Sequence, residues 1–119
     1  MTEQLWIEPV GKIIIARIRG VPTEAILKEC QERILLLVQE VGHGLILHDV
    51  LEMEPPPIEV PISQWKLDKQ VGSIRLRRAV VVSNTRLAYL ARVAFGEGDC
   101  RVFYNDMTAA LTWLTETPF

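Results

Sequence analysis

The chain of 119 residues is 49% hydrophobic and 24% charged, a balance that excludes disordered and fibrous classes. At 13.5 kDa it is expected to form one domain over residues 1–119, since a chain of this size buries roughly two thirds of its unfolded surface and needs no metal or disulfide to hold a core. The formal net charge of -2 argues against a nucleic-acid partner, because nucleic-acid-binding domains carry a basic excess.

Met1 to Trp6 contain no basic segment followed by an apolar run, so no secretory signal is expected and the predicted location is cytoplasmic. The longest uncharged apolar stretch, Ile34 to Val38, falls far short of the roughly 20 residues that cross a bilayer, and no transmembrane segment is predicted. Cys30 and Cys100 lie far apart with no companion cysteine near either, which predicts two reduced, partly buried thiols.

Gln4 to Glu8 and Lys12 to Arg19 are β-rich runs, with Pro9-Val10-Gly11 expected as the hairpin loop between them. Ile14, Ala16 and Ile18 alternate along the second run and give it one wholly apolar face. Gly20-Val21-Pro22 ends the strand, and the Thr23 hydroxyl is placed to accept an orphan N–H at the start of a helix reaching Val41. Along that helix Ile26, Leu27, Cys30, Ile34, Leu37, Val38 and Val41 follow i, i+3, i+4 spacing. Gly42-His43-Gly44 ends it, and Leu45 to Val50 reads as a central parallel strand after a βαβ crossover.

The three prolines of Met53-Glu54-Pro55-Pro56-Pro57 remove donors and fix φ, so this segment is a stiff loop. Val60 to Val71 is predicted helical, and Gly72 ends it. Arg78 to Ser83 is a buried strand, followed by a helix through Phe95 that Ser83 or Asn84 caps. Gly96-Glu97-Gly98-Asp99 turns the chain, Cys100 to Tyr104 forms the last strand, and Asn105 or Asp106 caps a final helix. The order ββαβαβαβα predicts an α/β fold whose mostly parallel sheet has helices wound beside it.

The element order, the strand Ala79-Val80-Val81-Val82 with its capped helix, and Arg101-Val102-Phe103-Tyr104 leading to Ala109-Ala110-Leu111-Thr112-Trp113-Leu114 together resemble the SpoIIAA-like branch of the STAS superfamily, the sulphate-transporter and anti-sigma factor antagonist domain. In this pattern Trp113 packs the last helix back on the sheet. The resemblance implies a fold similar to that of the CRAL-TRIO lipid carriers, and a binding or regulatory module rather than a catalyst. Phospho-switched members carry an Asp-Ser pair after the third strand. Here the region reads Asp49-Val50-Leu51-Glu52-Met53-Glu54-Pro55, with no hydroxyl, and Ser63 lies well beyond it.

In an open α/β sheet, ligands sit outside the carboxyl ends of the strands, near helix N-termini. That edge is expected to gather His48, Asp49, Glu52, Glu54, Asn84, Thr85, Arg86, Tyr104, Asn105 and Asp106. Asn84-Thr85-Arg86 suits an anion, since a helix N-terminus with an early arginine presents both N–H groups and charge. The alternative is a plain helix cap with a solvated arginine. His48 and Asp49 are adjacent on a strand, so their side chains point to opposite faces and cannot share one metal ion. No HExxH, paired CxxC, GxSxG, Walker or GxGxxG pattern occurs, so no cofactor, metal or catalytic residue is assigned.

Arg75, Arg77 and Arg78 are read as a solvated edge before a strand. Met53, Pro55, Pro56, Pro57, Ile58 and Trp65 form a stiff apolar segment that either lids the core or serves as an interface, since rigid apolar residues bury area at little entropic cost. The leading expectation is a non-enzymatic module that binds a protein partner or a second copy through Leu51 to Trp65. The alternative is a small-ligand site for an anion, nucleotide or lipid at the strand ends, with Asn84 and Arg86 as contacts.

Overall fold

The computed structural model describes residues 4–72, 74–96 and 98–116. Among these residues nine elements follow in the predicted order. The strand β1 (Leu5–Val10) pairs antiparallel with β2 (Ile13–Ile18) in the register Val10 to Ile13, so the turn is Gly11-Lys12. Pro9 and Val10 thus belong to the strand rather than to the expected loop. As the sheet's edge, β1 tolerates a proline because an outward N–H has no partner to lose.

The helix α1 (Glu24–Val41) starts at Thr23, whose hydroxyl accepts from the Ile26 N–H at 3.2 Å. It ends at Gly42, left-handed at φ 82°, where a side chain would be strained. The strand β3 (Leu45–Asp49) follows. Gly44 precedes it because the chain passes so close to Arg75 that an added Cβ would collide with that carbonyl oxygen. A stiff proline segment then leads to α2 (Glu59–Lys69), β4 (Arg77–Val82) and α3 (Thr85–Phe95). Asn84 caps α3 by accepting the Leu87 N–H at 2.9 Å. The last pair is β5 (Asp99–Tyr104) and α4 (Met107–Glu116), with Asp106 accepting the Ala109 N–H at 2.9 Å. Of the predicted turn Gly96-Glu97-Gly98-Asp99, Glu97 lies outside the described residues.

The sheet order is β1-β2-β3-β4-β5, and every pair after the first is parallel. Side-chain alternation divides it into two layers. On one face Ile14, Ala16, Ile18 and Ile46 pack with Cys30 and Ile34 of α1, while Val80 and Val82 pack with Leu87, Ala88 and Ala91 of α3. On the other, Leu47, Ala79 and Val81 pack with Ala110 and Leu114 of α4. The Trp113 ring lies 6.0 Å from Phe103, as the sequence pattern implied, whereas Tyr104 is exposed. The main neighbours of α2 are α1 and α3, so it bridges the two helices over the sheet.

The arginines before the fourth strand require a correction. Arg77 and Arg78 are buried, 6% and 4% exposed, rather than solvated. Arg77 pairs with Asp99 on the adjacent strand at 2.8 Å, and Arg78 pairs with Asp68 on α2 at 2.5 Å. Local sequence showed the charges but not the distant carboxylates that satisfy them.

Candidate functional site

The inner side of α2 carries Val60, Gln64 and Asp68 at four-residue spacing, so one stripe runs from apolar to acidic along the helix. Beneath it β4 presents Arg78, Val80 and Val82, and β3 presents Ile46 and His48, with Val50 just past its end. These surfaces do not meet completely. Between α1, α2, α3 and the sheet lies a cavity with about 60 Å³ open to water-sized atoms.

Its walls are almost wholly apolar: Leu27, Cys30 and Ile34 from α1, Val60 and Pro61 from α2, and Leu87, Leu90, Ala91, Ala94 and Phe95 from α3. Met53 and Pro56 close one side. A single water needs roughly 10–15 Å³ and benzene occupies an engineered cavity of roughly 150 Å³. The space therefore admits a molecule of a few heavy atoms as it stands, and a larger one only if α2 moves. On the outer side of Gln31 a second depression, about 180 Å³, runs between α1 and α2 past Lys28, Leu35 and Leu67.

Three polar side chains line this apolar space: Gln31, His48 and Gln64, each no more than 6% exposed. Gln31 turns its amide oxygen toward Arg78 Nη2 at 3.4 Å. Arginine has only donors, so the oxygen must face it, and the Gln31 Nε2 group is left with no acceptor. His48 Nε2 and Arg78 Nε are likewise buried without a partner. Each such orphan costs about 1–3 kcal/mol relative to a satisfied group, which marks this as the place where the core departs from simple packing.

Phe95 organises the charged end. Its ring stacks on His48 with centroids 5.0 Å apart, and the Arg78 guanidinium carbon lies 4.6 Å from its centre. Burial, followed by the Arg78 charge, pulls the His48 pKa from 6.5 down to about 3, so its imidazole is neutral. Burial also lowers the Arg78 pKa, against the opposing attraction of Asp68. Among the described residues no Lys, Arg, Asp or Glu lines the cavity itself, and the nearby Arg78 cation is matched by the Asp68 carboxylate.

The structure separates the residues that sequence placed at one edge. His48 enters the cavity layer, while Asp49 turns to the opposite face and accepts from Arg17 Nε at 2.9 Å and from the Leu51 N–H. Asn84, Thr85 and Arg86 are exposed at the start of α3, where the Asn84 side chain is engaged as the cap and Arg86 lies over the Tyr89 ring. Tyr104 and Asn105 are exposed beyond β5, with Asn105 in a left-handed conformation at φ 50°. Glu52 pairs with Arg19.

Of the proline segment, Met53 and Pro56 face the cavity, whereas Pro55 and Pro57 are exposed and Ile58 and Trp65 are half-buried. Gln31, Gln64, Asp68 and Arg78 were not among the sequence candidates for a ligand site. The parity of β4 holds a usable signal, because Arg78 shares a face with Val80 and Val82 and must therefore point toward the helices. Gln64 and Asp68 likewise sit one and two turns after the buried Val60.

Among the described residues no cluster of three or more His, Cys, Asp or Glu side chains is arranged to hold a metal. No described helix is long and apolar enough to cross a membrane. No protein-family model matches the chain, and no curated protein matches it. Among solved structures the chain is similar to an uncharacterized protein from the DUF3478 family with a SpoIIAA-like fold from Shewanella loihica PV-4, at 20% identity and a TM-score of 0.62. The match covers 92% of this chain and 91% of that one. Together with the strand order and the placement of the helices, it gives this chain a SpoIIAA-like fold.

Proposed function

We propose that residues 1–119 act as one non-enzymatic binding module whose ligand occupies the cavity between α2 and the β3–β4 surface. The observation that carries this is the combination of apolar walls with buried polar groups that have no partner. A core built only for stability gains nothing from such groups, whereas a ligand pocket uses a few fixed polar groups to orient an otherwise apolar guest. Of the cavity's polar side chains, Gln31 sits on α1 and His48 on β3, while α2 covers the space and adds Gln64.

Association with a protein partner through Leu51 to Trp65 is less favoured, because Met53 and Pro56 are used as cavity walls. The strand-end site at Asn84 and Arg86 is less favoured because both are exposed, the Asn84 side chain is engaged as the helix cap and Arg86 lies over the Tyr89 ring. A thermal-shift screen of small organic molecules tests the proposal, since a ligand bound only by the folded state raises the melting temperature. Ala91→Phe fills the cavity from α3 and is expected to abolish the shifts while preserving the fold. Shifts that survive Ala91→Phe but vanish in Arg86→Ala or Trp65→Ala place binding elsewhere and overturn the proposal.

A further inference from the structure

The cavity's chemistry also limits what the guest can be. Gln31 lines it, is 6% exposed, and is held with its oxygen toward Arg78, so the group it has to offer is a pair of N–H donors. Those donors are buried and meet no acceptor among the described residues.

Charge sets the second limit. Arg78 is matched by Asp68, and the described lining residues include no Lys, Arg, Asp or Glu. A carboxylate or phosphate entering this space brings a negative charge that no free cation offsets, and an amine brings a positive charge toward Arg78. Both are penalised by the low dielectric of the apolar walls. Size is the third limit, since about 60 Å³ admits few heavy atoms without displacement of α2.

The geometry points to a small, electrically neutral ligand with an apolar body and a carbonyl-type acceptor, such as a ketone, ester or amide, whose oxygen accepts from Gln31 Nε2. This inference rests on the cavity being a ligand site and adds the class of guest it takes. It differs from an anion site at a helix N-terminus, because it requires an acceptor without charge.

The test uses the full chain and four probes small enough for the space: acetone, acetamide, acetate and ethylamine. Binding is followed by the backbone amide shifts of Ala91 and Ala94, which face the cavity from α3. The two neutral acceptors are expected to give saturable shifts with dissociation constants about tenfold or more below those of the two ions. Gln31→Leu, or Gln31→Met if the first variant does not fold, is expected to weaken acetone by about fivefold to tenfold. Acetate binding as tightly as acetone, or an unchanged acetone affinity in the Gln31 variant, overturns the neutral-acceptor assignment and leaves the cavity as a ligand site. Absence of saturable cavity shifts with all four probes overturns both.

Discussion

Arg78 at the start of β4 and Asp68 near the end of α2 form an ion pair, Nη2 to Oδ1 at 2.5 Å, with only 4% and 19% of their side chains exposed. It fastens the one helix whose main neighbours are other helices down to the sheet. The Ser63 hydroxyl, donating to Glu24 at 2.8 Å, ties the opposite half of α2 to α1 at the surface. Between these two attachments α2 spans the cavity. Asp68→Asn leaves Arg78 buried without its counter-charge and is expected to cost about 3 kcal/mol in urea unfolding. Asp68→Leu combined with Arg78→Met is expected to recover most of that loss, since a buried pair is often replaceable by apolar volume. A loss below about 0.5 kcal/mol for Asp68→Asn, the range of an ordinary surface change, contradicts the role given to the pair.

The environment of His48 sets a pH dependence. Its folded pKa of about 3 lies below the ordinary value of 6.5, so below 6.5 the unfolded chain binds a proton that the folded chain refuses. The His48 contribution is therefore fully present above about 6.5 and is lost as pH falls toward about 3, with a slope of up to about 1.4 kcal/mol per pH unit. His48→Leu removes this component, and urea unfolding from pH 7 to about 4 should show a shallower slope in the variant. Equal slopes in both proteins place His48 in a more polar setting than the cavity described.

Burial pushes the Cys30 thiol up to about 12 and the Cys100 thiol up to about 11. Since the thiolate is the reactive form, neither cysteine is expected to react at the rate of a free thiol in the folded protein at about pH 8. Both should react promptly in concentrated urea. Rapid alkylation of Cys30 without denaturant indicates that the α1 face of the cavity opens far more readily than its packing implies.

The fold was largely legible because its signals are local. The Thr23 and Asn84 caps act across three residues, Gly42 ends α1 by its own conformation, and the apolar spacing of α1 lies within one helix. The hairpin turn was displaced because Pro9 reads as a strand breaker until its edge position is known. The cavity was not legible in the same way. Arg78 meets Gln31 across a sequence separation of 47 and Asp68 from another element, so its burial follows only when three elements are assembled. A charge at a strand's first turn otherwise reads as solvated. His48 was singled out for its strand position, but its apolar setting depends on Phe95 arriving from α3.

The most direct measurement is a crystal structure of the chain with a hit from the thermal-shift screen. The expected result is the ligand between α2 and the sheet, against Ala91 and His48, with an acceptor atom within hydrogen-bond reach of Gln31 Nε2. A ligand seated instead at the exposed Asn84 to Arg86 edge, or along Pro55 to Trp65 with the cavity unchanged, contradicts the assignment of the site.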